Sequence, residues 1–233
     1  MSETVATPFH VGLTPDRVID AAVELTAESH LMSWSIRDLA ARLGVAPSVI
    51  YHHVGGKDLL CRRVVERVLA GIELPPATPA WQDWFRTLLH AAGPLAVGYP
   101  GVAKWMLMHG PTIPAMLPVL EAGIAILRAA GFGERTDFAY AALLNNAMLT
   151  ISMGDDRLQH EEDGPRDHAT MMAEFRQLPT ASDDVRTMGR FIRPFAEGGE
   201  TAARMRTDYY RFVVDVTIAG LASTLDRTED SAP

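Results

Sequence analysis

The chain has 233 residues, 48% of them hydrophobic, and a formal net charge of −8 at neutral pH. That apolar share suffices for one large helical domain, or a small domain beside a larger one, while no apolar run reaches the ~20 residues that a membrane-spanning helix needs. The single cysteine, Cys61, excludes an internal disulfide and fits a reducing cytoplasm, and residues 1–12 lack the basic-then-apolar order of a signal peptide.

Residues 1–12 show no periodicity and read as a disordered arm, without the Arg or Lys that an arm in a minor groove would need. Thr14, Pro15 and Asp16 then supply an N-cap, a first-turn proline and a negative charge at the positive helix end. Val18, Ala21, Ala22, Leu25 and Thr26 form one face of a helix that runs to about Glu28. Ser35 is the N-cap of the next helix, in which Ile36, Leu39, Ala40 and Leu43 recur at i, i+3, i+4 and i+7. Gly44 is placed to end that helix in the left-handed region, and Pro47 opens another that Gly55-Gly56 must stop. Two short helices joined by a tight glycine turn make a helix-turn-helix, whose second helix is shaped for a DNA major groove.

The residues that carry this motif also carry a resemblance. Ser35-Ile36-Arg37-Asp38-Leu39-Ala40, Leu43-Gly44-Val45, Ile50-Tyr51-His52-His53-Val54 and Lys57 resemble the DNA-binding domain of the TetR (tetracycline repressor) family. The likeness spans about Leu13 to Leu69. It implies that Tyr51, His53 and Lys57 contact phosphate and that Ser35 and Arg37 sit at the groove edge. Pro47, Ser48, Val49 and His52 occupy the exposed positions of the recognition helix, with Arg37 suited to guanine and Val49 to a thymine methyl group. Val45 and Ile50 suit the core better. The chain departs from the family at Ala46, where a capping Ser or Thr is usual, a loss of about 1 kcal/mol to the recognition helix. So few hydrogen-bonding groups on that helix leave specificity to DNA shape as well. The negative net charge does not oppose DNA binding, since only the field at the docking face acts on phosphates; it implies weak non-specific affinity and reliance on a dimer.

A fourth helix starts at Gly56-Lys57 and runs to about Leu74. Cys61 on it reads as a packing residue, with Arg62 and Arg63 beside it leaving a redox-sensing thiol as the alternative. Pro75, Pro76 and Pro79 close this unit, giving an arm over 1–12, a DNA-binding domain over 13–74 and a larger domain over 77–233. In the larger domain a helical face begins at Trp81 and is interrupted at Gly93-Pro94. A short helix follows Pro100-Gly101, then helices over 117–130 and 135–153. Residues 154–179 turn polar and read as a loop with a short helix near 169–178, Ser182 caps another helix, and 201–225 close the chain. No strand-like alternation or internal repeat stands out: the expected fold is all-α.

All methionines except Met1 and Met32 lie in the larger domain, and methionine suits surfaces that accept varied apolar ligands. Trp81, Trp84, Trp105, Met106, His109, Asn145, Asn146 and Met153 are the candidate lining of an apolar pocket with a few polar handles; plain core is the alternative for each. Two mid-helix amides, Asn145 and Asn146, need partners if they face inward. The histidines show no metal-ligand spacing, a set built on His109, His160 and His168 being the remote alternative, and no catalytic signature stands out. No cofactor is implied. The resemblance implies a homodimeric repressor that holds double-stranded palindromic operator DNA and leaves it when a small effector binds; the cysteine usage places it in the cytoplasm, and the candidate lining makes the effector apolar. The helices over 135–153 and 201–225 are its expected dimer surface. A DNA-binding regulator without an effector, and a helical enzyme, are the competing readings.

Overall fold

The computed structural model describes residues 12–76, 78, 80–110, 113–159, 170, 173–174, 182–197 and 199–229, and among these there is no strand. Residues 1–11 of the arm, Pro79 and most of the polar segment after Gln159 lie outside the described residues; of the expected short helix near 169–178 only Thr170, Ala173 and Glu174 are described, and they are helical.

Ten α-helices carry the described chain. In the N-terminal unit α1 (Pro15–Glu28), α2 (Ile36–Leu43), α3 (Pro47–Val54) and α4 (Lys57–Leu69) pack around a core that includes Val18, Ala22, Leu31, Leu39, Ile50 and Leu60, all essentially without solvent exposure. Local signals set the boundaries. Thr14 Oγ1 accepts from the Arg17 N–H at 3.2 Å, and Pro15 opens α1. Ser35 and Asp38 form a reciprocal capping box at α2, with the Asp38 carboxylate accepting from the Ser35 N–H at 2.7 Å. Gly44 ends α2 in the left-handed region at φ 66°, and α3 begins at Pro47 with no side-chain cap from Ala46.

The fourth helix is shorter than the periodicity suggests, ending at Leu69 rather than Leu74. Gly71 is a poor helix former, and the residue before Pro75 is pushed towards extended backbone, so the last turn tightens into Gly71 N–H to Val68 and Ile72 N–H to Leu69 bonds.

The larger unit is built from α5 (Trp81–Val97), α6 (Val102–His109), α7 (Leu117–Ala129), α8 (Thr136–Gln159), α9 (Asp183–Glu197) and α10 (Gly199–Glu229). The long helices α8 and α10 pack on each other and both pack on α5. Gly93-Pro94 does not interrupt α5, which continues to Val97. The glycine has another purpose: a Cβ there would lie 2.5 Å from the Tyr210 ring of α10, whose hydroxyl donates to the Leu89 carbonyl at 2.6 Å. Similarly α8 runs on to Gln159 instead of stopping at Met153. Asp155 is buried and accepts from the Gly101 N–H at 3.0 Å, so one acid of the polar run is spent inside the fold. No single described helix is long and apolar enough to cross a membrane.

Candidate nucleic-acid interface and ligand cavity

The N-terminal unit presents α3 as its outward helix. Ile50 and Val54 turn into the core, leaving Pro47, Ser48, Tyr51 and His52 exposed and Val49 and His53 half-buried. Beside them, at the start of α2, Ser35 and Arg37 are exposed. The two histidine rings meet edge to face, 5.8 Å apart. Eight of the nine sequence-designated DNA residues thus reach one surface.

Lys57 is the ninth, and its ammonium turns inward. It donates to the carbonyls of Leu31 at 3.1 Å and Trp34 at 2.7 Å, and it lies over the Trp34 ring. Trp34 is itself fixed, its indole N–H donating to Thr26 Oγ1 at 2.9 Å, which in turn donates to the Ala22 carbonyl. Half-burial lowers the Lys57 ammonium to about 8. In this state Lys57 braces the turn between α1 and α2; in sequence a lysine that faces phosphate and one that faces two carbonyls look the same.

Other cations of this unit are also engaged. Arg42 pairs with Glu28 and Glu24, Arg67 with Asp16 and Asp20, and Arg62 with Glu66 at 3.1 Å. These exposed pairs add little to stability, but they cancel positive charge locally. Arg37 has no ion pair among the described residues, which makes it the principal cation of the α2–α3 face.

In the larger unit a cavity of about 390 Å³ lies between α5, α6, α7 and α8. Its wall is almost wholly apolar: Leu88, Leu89 and Ala92 from α5, Met106 from α6, Val119, Leu120 and Ile124 from α7, and Leu144 and Met148 from α8. Leu69 at the end of α4 and Ile72 just beyond it complete the wall, so the cavity touches the helix that leads from the DNA-binding unit. Of the designated pocket residues, Met106 and Asn145 line this cavity, Asn145 from an exposed position.

The others are placed elsewhere. Trp81 is buried against Phe132 and Trp84 against Phe85, both edge to face, where large rings fill the core. Trp105 stacks on the His109 ring with centroids 4.1 Å apart, and both line a separate cleft that faces Asp58 and Leu59 of α4. Asn146 is exposed and donates to Thr217 on α10 at 3.2 Å, while Met153 is exposed. Residues that sequence reasoning did not select include Tyr140 and Gly123. A tyrosine on a helix face looks like core until its hydroxyl is seen to have no partner among the described residues.

A second contact joins the units. The Leu31 N–H donates to the Pro100 carbonyl at 2.9 Å, and the buried His30 ring fills the space over Gly101, where a Cβ would come within 2.6 Å of it. Gly101 adopts φ +89° and is held from behind by Asp155 of α8. The end of α1 is therefore seated on the start of α6, which leans on α8. Among the described residues no group of three His, Cys, Asp or Glu side chains is placed to hold a metal ion.

Known proteins carry the same features. Residues 18–64 match the family model described as bacterial regulatory proteins, tetR family. An HTH-type transcriptional regulator of Saccharopolyspora erythraea is 27% identical over 152 residues, 65% of this chain and 64% of that protein's own length. A possible TetR family transcriptional regulator from Streptomyces coelicolor superposes with a TM-score of 0.70 at 21% identity, covering 90% of this chain and 99% of the other. The Streptomyces coelicolor TetR family protein ActR, solved in complex with actinorhodin, gives 0.62 at 19% identity, covering 90% and 99%. At those identities the structural likeness speaks for the fold, and the motif in residues 18–64 speaks for the domain. Residues 18–64 thus match the tetR family of bacterial regulatory proteins, and the chain shares its overall fold with solved TetR family structures.

Proposed function

We propose that the protein is a ligand-responsive transcriptional repressor of the cytoplasm, binding a palindromic operator as a homodimer and released from it by a small apolar effector. The observation that carries this reading is the position of the cavity. It is walled by Leu69 and Ile72, so an occupant presses on the end of the same helix that starts beside the α3 reading head. ActR, which shares the fold, is a protein solved with a small molecule bound.

DNA contact falls to the α2–α3 face. Tyr51 and His53 reach phosphates, Ser35 and Arg37 the groove edge, and Pro47, Ser48, Val49 and His52 the bases. Lys57 joins the phosphate contacts only by leaving its carbonyl seat, so in the free protein it serves to position α4. One helix-turn-helix has too few contacts for a specific complex, and two copies ~34–36 Å apart reach successive major grooves. The means of pairing is the apolar surface of α8 and α10, where Phe138, Leu149, Met153, Phe212 and Val216 are exposed on single protomers. Ligand weakens DNA binding only by favouring one arrangement of the two reading heads over another, and coupling of ~1–3 kcal/mol is ordinary for such switches.

Selection of bound DNA from random sequence tests the reading. It should yield an inverted repeat with half-sites about one helical turn apart. A single asymmetric site, or no enrichment, contradicts it.

A further inference from the structure

The cavity has one polar feature in its buried wall, and that feature specifies a ligand. Tyr140 lies on the α8 side, is 6% exposed, and its hydroxyl has no hydrogen-bond partner among the described residues. Buried hydroxyls are nearly always paired, because leaving water without a new partner is costly. The other buried tyrosine of the larger unit obeys this rule, Tyr210 donating to the Leu89 carbonyl. Tyr140 does not.

The ring is also deliberately seated. Gly123, buried in the middle of α7, lies against it so closely that a Cβ there would be 2.7 Å from Tyr140 Cε2. Mid-helix glycine weakens a helix relative to alanine, so α7 gives up stability where the Tyr140 ring passes. Phe85 holds the ring edge to face, with centroids 6.3 Å apart. The side chain is thus fixed by α5 and α7 at the wall of an apolar cavity.

We propose, resting on the reading of this cavity as the effector site, that the effector is a neutral, mostly apolar molecule carrying a carbonyl-type acceptor that takes the Tyr140 hydroxyl proton in a hydrogen bond. Burial raises the Tyr140 phenol to about 12, so it is a neutral donor at any physiological pH. The remaining wall offers no buried charge to pair with an ionised ligand. The one charged residue on the lining is acidic, Asp137, and it sits at an exposed position, which disfavours carboxylates and phosphates. A volume of about 390 Å³ suits a fused two- or three-ring skeleton.

The test uses two molecules of nearly the same shape, 2-acetylnaphthalene, which has the acceptor, and 2-isopropylnaphthalene, which lacks it. Their affinities for the full-length protein are read by displacement of Nile red, on wild type, Tyr140→Phe and Leu144→Trp, the last filling the cavity. Tyr140→Phe should weaken the ketone about tenfold, as the loss of one buried hydrogen bond allows, and leave the hydrocarbon unchanged. Leu144→Trp should abolish binding of both. A far-ultraviolet melt of Tyr140→Phe no lower than wild type confirms that the variant is folded. An equal effect of Tyr140→Phe on the two molecules, with both lost on Leu144→Trp, overturns the Tyr140 assignment and leaves the cavity reading standing. Ketone affinity that survives Tyr140→Phe undiminished overturns the assignment in the same way. Failure of both molecules to bind, or binding indifferent to Leu144→Trp, overturns the cavity reading and the proposal together.

Discussion

Two tyrosines show how burial and partnering separate. Tyr210 spends its hydroxyl on the Leu89 carbonyl, and Tyr140 spends its own on nothing in the described fold. In the ligand-free protein Tyr210→Phe should therefore cost about 1 kcal/mol, while Tyr140→Phe should be neutral or stabilising. Urea denaturation of the two variants beside wild type checks this, and an equal loss in both would contradict it. Lys57 makes a second residue-scale prediction. Its ammonium is lowered by burial from the ordinary 10.5 to about 8. Between those values the unfolded chain holds a proton that the folded chain has released, so this group makes stability rise with pH across that window and adds no slope below it. The neighbouring Cys61 thiol, raised by the same burial, acts oppositely above its ordinary 9.0. The comparison therefore belongs in a Cys61→Ala background, where the urea midpoint should rise from pH 8 to 10 relative to the same protein carrying Lys57→Met. Parallel curves would show that Lys57 titrates normally. Sequence placed Lys57 in the right motif but not in the right direction, because the Leu31 and Trp34 carbonyls that receive it belong to backbone, which has no signature letter.

At the scale of elements, the α1–α3 reading is written openly. Thr14-Pro15, Ser35 with Asp38, Gly44 and Pro47 each act within a few residues of themselves, so spacing alone locates the helices. The larger unit hides its logic in distant pairs. Gly93-Pro94 looks like a break until Tyr210 is seen across from it, and Asp155 looks like loop until it is found holding the Gly101 N–H. The expected pocket residues divide: Met106 and Asn145 reach the cavity, whereas Trp81 and Trp84 are large enough to be claimed by the core. The His30–Gly101 contact carries its own expectation. Gly101→Ala must strain a φ of +89° and push the His30 ring away, loosening the seat of α1 on α6. The variant should melt lower than wild type and lose several-fold in the effect of ligand on operator affinity, measured by fluorescence anisotropy of labelled DNA. Full retention of that effect would confine signal transfer to the α4 wall of the cavity.

At the scale of the molecule, the exposed apolar side chains divide into those any protein shows and those that need a partner. Phe138 at 72% and Phe212 at 61% exposure, with Leu149 and Val216 near half, lie along two helices already packed together. Covering such a surface favours a dimer, and light scattering should give about twice the 25.4 kDa chain mass at micromolar concentration. Phe212→Arg with Val216→Arg should return the protein to one chain with its helical signal intact. A single-chain mass for wild type would sink the two-headed reading of DNA. The central claim is that the cavity and the α2–α3 face are coupled. It is tested most directly by measuring the affinity of a cavity ligand, recovered by Nile red displacement and by release of the selected operator, with and without saturating operator DNA. Coupling is reciprocal, so operator should weaken the ligand by the factor with which ligand weakens operator, about 5- to 150-fold. Identical ligand affinities in the two titrations would contradict the account.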